Sequence, residues 1–280
     1  MENALNVIAE AIVGLHSNPI KDYVFPSISA LSTAALGAWA AFYAVSTQEY
    51  NRVQIQNVDA LNETLLNANE ARNSLIAIKS NYSGRLTPNP FQRMLVIPPL
   101  VLNAEPIKFH VASLAFLVPS ENSENSSKWQ RIEYVETLFK NYNNVLNIWK
   151  KRNELMQELM PHVMQFHGRG VSLEELERVI GRGQIAILSD LTELAIMITD
   201  DLVVEISCFL LGFSEVSKVA IPTKIKKKYR KIIAINLPDN DESKNLLSIS
   251  TELNFNLASK IHNVTQEELR HRYRRIYLKQ

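Results

Sequence analysis

The chain has 280 residues, a formal net charge of +1, and 46% hydrophobic against 21% charged residues. That balance excludes a polyelectrolyte and confines any contact with nucleic acid or an anionic surface to a local patch. Only 8 glycines and 1 cysteine, with plentiful Leu, Ile, Asn, Glu and Lys, point to helices over a turn-rich β fold and exclude a disulfide framework.

Residues 1–22 form an amphipathic N-terminal segment. Leu5, Ile8, Ile12 and Leu15 share one helical face with Val13 beside them, which suits a helix lying in a membrane interface and equally a helix packed on a core. Residues 23–48 follow, an uncharged run between Asp22 and Glu49. The part after Pro26 is long enough for a helix of roughly 30 Å, the thickness of a bilayer's hydrocarbon core. Tyr23 and Phe25 at one end, and Trp39, Phe42 and Tyr43 toward the other, fit aromatic belts. Small residues recur every four positions as Ala30, Ala34, Ala38 and as Thr33, Gly37, Ala41. Such rows let two helix backbones approach closely, so the expected assembly is a homo-oligomer through this helix within the lipid bilayer. The competing reading is an Ala-rich core helix of a soluble protein. A cleaved signal peptide is not expected, because the run starts late, exceeds an h-region and lacks a basic n-region.

The short acidic tail and the long, Lys- and Arg-bearing remainder favour a single pass with residues 49–280 in the cytoplasm. The lone Cys208 fits a reducing compartment. The N-x-Ser/Thr sequons at Asn62, Asn81, Asn125 and Asn263 are chance products of an Asn-rich chain.

From Glu49 to Tyr82 apolar residues at spacings of three and four predict a helix, too irregular for sustained heptads. Residues 84–106 hold five prolines around MLVIPPLVL and predict an extended crossover strapped onto a helical core. Ile107–Val118 reads as a short helix and Pro119–Ser127 as an exposed loop. Trp129–Met160 carries the strongest 3–4 rhythm, with Lys140, Lys150, Lys151 and Arg152 as a charged back face and Pro161 at its end or at a kink. Its aromatic residues read as core.

His162 and His167 have the wrong spacing for ligands on one helical face, and no HExxH is present. Gly168, Gly170, Gly181 and Gly183 do not follow a phosphate-cradling order. Ser172 with Glu175 predicts a capping box that starts a short helix, and Gly181 can end it. Gln184–Phe213 is apolar enough to tempt a second span, but Asp190, Glu193, Asp200, Asp201 and Glu205 argue for the central helix of a soluble bundle. Its inward face is expected to carry Ile187, Leu191, Leu194, Ile198, Leu202 and Ile206. Asp200 and Asp201 point about 100° apart on a helix and are not expected to act as one pair.

Residues 221–233 crowd Lys224, Lys226, Lys227, Lys228, Arg230 and Lys231 beside Ile225, Tyr229, Ile232 and Ile233. This basic amphipathic segment suits an anionic membrane surface, with a nucleic-acid backbone and a merely solvated charge run as the alternatives. Past the turn at 237–240 a helix is expected near Asp241–His262, then a second capping box at Thr265 and Glu268. Arg270, Arg272, Arg274 and Arg275 make the ending basic again.

The stretches ISALSTAALGAWAAFYAVSTQEY, IKFHVASLAFL, YNNVLNIWKKRNEL and DLTELAIMITDDL together resemble those of uncharacterised bacterial proteins with an N-terminal span and a cytoplasmic helical domain. Members of that class include accessory effectors of retron-type anti-phage systems, usually described with two spans where this chain offers one. The resemblance implies an all-α protein, a single transmembrane helix followed by a cytoplasmic helical bundle. It also implies abortive-infection defence, toxin-like action on membrane integrity, and a protein or ribonucleoprotein partner that restrains it. The alternative is a non-toxic, membrane-tethered scaffold or regulator. No catalytic constellation, cofactor or metal is expected.

Overall fold

A computed structural model describes residues 2–14, 20–119, 127–166 and 172–277. Every regular element among them is helical. The chain divides into two compact units, Met1–Ile55 and Gln56–Gln280.

The first unit contains α1, Glu2–Gly14, a single π-helical turn at Ile20–Val24, and the start of α2, Phe25–Ser80. No residue of α1 is buried, so Leu5, Ile8, Ile12 and Val13 all stay exposed. Leu15 lies outside the described residues. Residues 20–46 are likewise exposed throughout, including Trp39 and Tyr43, whose rings stack on one another. Among the described residues one helix is long and apolar enough to cross a membrane, and none of its apolar stretch is buried.

In the second unit three long helices supply most of the core: the remainder of α2, α4 over Ile132–Val163 and α6 over Arg182–Ala220. Among the buried positions of each helix, one seam is spaced by three and four residues. In α2 its residues are Val58, Leu61, Leu65, Ala68, Arg72, Leu75 and Lys79. In α4 they are Val135, Leu138, Tyr142, Val145, Trp149, Arg152, Met156, Leu159 and Val163. In α6 they are Leu188, Thr192, Ala195, Thr199, Leu202, Ile206, Phe209 and Phe213. This is the period that keeps one seam of a helix against its neighbours, and it corrects two expectations. Arg152, assigned to the charged back of α4, occupies the seam and is fully buried. The inward face of α6 is turned from the expected one, with Ile187 exposed and Leu191, Leu194 and Ile198 only half-buried.

Shorter elements close the unit. The proline-rich crossover is not wholly extended. Asn89 caps a helix α3, Pro90–Val96, whose first residue is the proline best suited to that place. The chain after it runs extended to His110 and then forms one 3-10 stretch, Val111–Leu117, shorter than expected. Asn153 and Asn143 of α4 hold this extended segment to the bundle. Each amide accepts from one backbone N–H and donates to the same residue's carbonyl, at Leu100 (3.2 and 2.9 Å) and at Ile107 (2.8 and 2.9 Å). A strap is thereby satisfied without a sheet partner.

A 3-10 turn at Lys128–Gln130, capped by Ser127, separates Trp129 from α4, which starts at Ile132. Pro161 sits inside the last turns of α4 instead of ending it. The capping box of Ser172 and Glu175 opens α5, Leu173–Ile180, and Gly181 with φ 89° separates it from α6. Only glycine adopts that backbone without strain. Four short helices follow: α7, Thr223–Lys228; α8, Asp241–Leu247; α9, Phe255–His262; and α10, Gln266–Arg272, opened by the box of Thr265 and Glu268. The single helix expected near Asp241–His262 is therefore two, parted by the non-helical residues 248–254.

Candidate functional site

The small residues singled out in the apolar stretch, Ala30, Thr33, Ala34, Gly37, Ala38 and Ala41, are all exposed on α2. A Cβ at Gly37 would meet nothing within 4 Å, and the Thr33 hydroxyl is turned back to the Ser29 carbonyl at 2.8 Å. Both rows are open for a partner helix.

The basic segment is not one amphipathic helix. Helix α7 ends at Lys228 and residues 230–239 form no helix. Ile225 is buried and Ile232 packs on the core, so the apolar side expected to face a membrane is used within the protein. Asn62 of α2 pins the non-helical half by donating to the Lys231 carbonyl (3.0 Å) and accepting from Ile233 N–H (2.9 Å). Arg230 pairs with Asp59 at 2.7 Å, and the Lys226 ammonium donates to the Lys218 carbonyl. Lys224, Lys227, Lys228 and Lys231 remain exposed as point charges. What is left is an electrostatic strip without an insertable face.

The most built part of the molecule is one the sequence reading missed. Asp200, fully buried, receives the Lys79 ammonium at 2.8 Å, the Ser250 N–H at 2.8 Å and the Ser250 hydroxyl at 3.2 Å. Lys79 also donates to the Ser248 carbonyl at 2.6 Å. Arg275, in the terminal segment, reaches Asp201 at 2.6 Å and Asp200 at 3.5 Å, and Asp201 accepts the Ile276 N–H at 3.1 Å. The two adjacent carboxylates share one cation, because the Arg275 guanidinium fork spans the angle between them. Burial raises the Asp201 carboxyl above its ordinary range although Arg275 opposes this. A second buried pair, Arg93 and Glu193 at 2.6 Å, lies nearby, with burial raising Glu193. Arg93 further donates to the Thr251 carbonyl at 2.7 Å. These contacts fasten the 248–251 segment and residues 275–276 onto α6 and engage Glu193, Asp200 and Asp201; of the other acidic residues that made α6 unfit for a bilayer, Glu205 receives Lys128 at 2.6 Å and Asp190 receives the Tyr273 hydroxyl at 2.9 Å.

Beside this network a cavity of about 600 Å³ is lined by Arg93 and Glu193, by Ile196 and Met197 of α6, by residues 251–253 and Phe255, and by Arg270 and residues 273–276. The volume is that of a small-molecule site. His262 stands close by. Its Nε2 is 3.3 Å from the Ser189 hydroxyl and 3.5 Å from that of Tyr273, which donates to Asp190 at 2.9 Å. Burial lowers the imidazole pKa below its ordinary value, Arg272 adds to this and Asp190 opposes it. The unfolded chain therefore binds more protons just below pH 6.5, and stability rises with pH through that window. Acidification from pH 7 should lower Tm, and His262→Gln should flatten this dependence. An unchanged slope would contradict it.

Among the described residues no group of His, Cys, Asp and Glu could hold a metal ion. His162 is exposed, and His167, Gly168 and Gly170 lie outside the described residues. Of the four arginines that make the ending basic, Arg275 is tied into the seam and Arg272 pairs with Asp190 at 3.4 Å, whereas Arg270 has only a long, exposed contact to Glu252 at 3.6 Å and Arg274 is exposed.

No family model, curated protein or solved structure matches the chain. The geometry defines an all-helical protein with one exposed apolar helix, a buried ionic seam and an arginine-bearing cavity.

Proposed function

We propose that this protein is a single-pass membrane protein of the bacterial inner membrane whose helical domain faces the cytoplasm, acting as a non-enzymatic effector of retron-type anti-phage defence. The observation that carries the membrane part is that residues 20–46 bury nothing in the chain. An apolar helical surface of that length is costly in water and favourable in lipid. The exposed small-residue rows support assembly of copies through this helix, and the strip at Lys224, Lys227, Lys228 and Lys231 supports a weak electrostatic contact with anionic lipid. Nucleic acid is the lesser candidate for that strip. The defence assignment follows from the resemblance in the four sequence stretches, and a protein or ribonucleoprotein partner would hold the effector inactive.

A second reading, a tethered regulator, draws on the cavity beside the ionic seam, since a defined pocket is what a ligand-controlled or partner-controlled domain requires. Expression without neighbouring genes separates the two. The effector reading predicts growth arrest and loss of membrane potential. Ala34→Leu with Gly37→Leu should relieve both, weakening association about tenfold, the equivalent of losing about 1–2 kcal/mol of close packing. Normal growth at matched membrane levels would favour the regulator, and undiminished toxicity of the double variant would remove the helix-packing mechanism.

A further inference from the structure

The cavity beside the ionic seam has the composition of a site for a small anion with an apolar body. Its buried charges are already matched: Arg93 by Glu193, and Arg275 by Asp201 and Asp200. Arg274 is exposed and the described residues give it no ion-pair partner. Arg270 has a long, exposed contact to Glu252 at 3.6 Å, and its guanidinium carbon sits 4.3 Å from the centre of the Phe255 ring. Two guanidinium groups thus border the cavity with N–H donors to spare, and Ile196, Met197, Leu253 and Phe255 supply apolar lining. An uncharged ligand would leave those donors unused. A free metal cation would meet only carboxylates already paired with arginine.

We infer that this cavity binds a phosphorylated small molecule with a ring-bearing body, of the nucleoside phosphate class. Two forked guanidinium groups match the several acceptor oxygens of a phosphate better than the pair on a single carboxylate. About 600 Å³ is large enough to admit a nucleotide. The apolar lining and the Arg270–Phe255 contact offer faces on which a base can rest. Occupancy would bring the terminal segment 273–276, the 251–255 segment and α6 onto one ligand, so binding would also tighten the closure of the ionic seam. The site lies wholly within the second unit, and the proposal stands or falls independently of the membrane reading.

The test is calorimetric titration of the full chain in detergent with nucleoside mono- and diphosphates, inorganic phosphate, pyrophosphate and uncharged nucleosides, alongside Tm measurements. The expected result is saturable binding of at least one nucleotide below about 1 mM with a rise in Tm, and weaker binding of both nucleosides and phosphate. Arg270→Gln with Arg274→Gln should reduce affinity about tenfold or more while Lys227→Gln with Lys228→Gln leaves it unchanged. Arg274→Gln alone removes only an exposed side chain, and should reduce affinity if the double variant fails to fold. Absence of nucleotide binding at about 1 mM would overturn the inference. So would phosphate binding as tightly as the nucleotides, or an affinity indifferent to Arg274.

Discussion

Lys79→Met is expected to lower the stability of the helical domain by about 3–5 kcal/mol, because it strands Asp200 as a buried carboxylate without its closest cation. Lys79 and Asp200 are nearly or fully inaccessible and 2.8 Å apart. The Ser250 donors and the more distant Arg275 remain, and they do not replace an ammonium in a low-dielectric site. Asp200→Asn should therefore restore a substantial part of the loss when combined with Lys79→Met, a non-additivity that a chemical-denaturation double-mutant cycle reads directly. The exposed pair of Lys140 with Glu136, at the similar distance of 2.8 Å, serves as the contrast: Lys140→Ala should cost less than about 1 kcal/mol. Equal effects at the two lysines would show that the seam is not ionic in the sense argued.

Arg152→Met is expected to cost about 3 kcal/mol or more by a different route. Arg152 is completely buried on the α4 seam and is paired with no carboxylate among the described residues. Its guanidinium donates to the carbonyls of Met94 (2.9 Å), Pro98 (3.0 Å) and Ile97, with Thr192 at 3.5 Å. Burial pushes its pKa down to about 10, so it stays charged at neutral pH. Those carbonyls stand at the exit of α3, where the chain turns extended and cannot satisfy them by helix bonds. Removing the fork leaves each with a desolvation penalty of about 1–3 kcal/mol. Arg152→Lys should rescue little, since one ammonium cannot span three acceptors held by a planar fork. A Lys variant with wild-type Tm would refute this role for the guanidinium.

These two residues also mark where the sequence was legible and where it was not. Apolar periodicity identified the long helices, the Ser/Thr-x-x-Glu spacing identified the two capping boxes at Ser172 and Thr265, and the prolines identified the strap. What it obscured was the register. In α2 the 3–4 alternation from Val58 to Lys79 is regular, but Arg72 and Lys79 occupy two of its places and made the pattern look broken. Arg152 does the same in α4, and Thr192 and Thr199 in α6. The signal that would have found them is a cation in phase with the apolar seam and carboxylates or a hydroxyl in phase on another helix. Arg72 bonds the Ser207 hydroxyl at 2.7 Å, just as Lys79 meets Asp200. The strap's bracketing by Asn143 and Asn153, and that of the basic segment by Asn62, depends on long-range placement that periodicity does not encode. The same holds for Arg275, which closes the seam from the other end of the chain. The basic segment failed as an amphipathic helix because Ile225 and Ile232 found a protein core first.

The reading of the whole molecule rests on the exposed apolar stretch of α2, and fractionation of the expressed protein tests it most directly. The protein should sediment with membranes, resist alkaline carbonate and be released only by detergent. Recovery in the soluble fraction, or release by carbonate alone, would contradict insertion of residues 23–48 and remove the basis for the proposed action at the membrane.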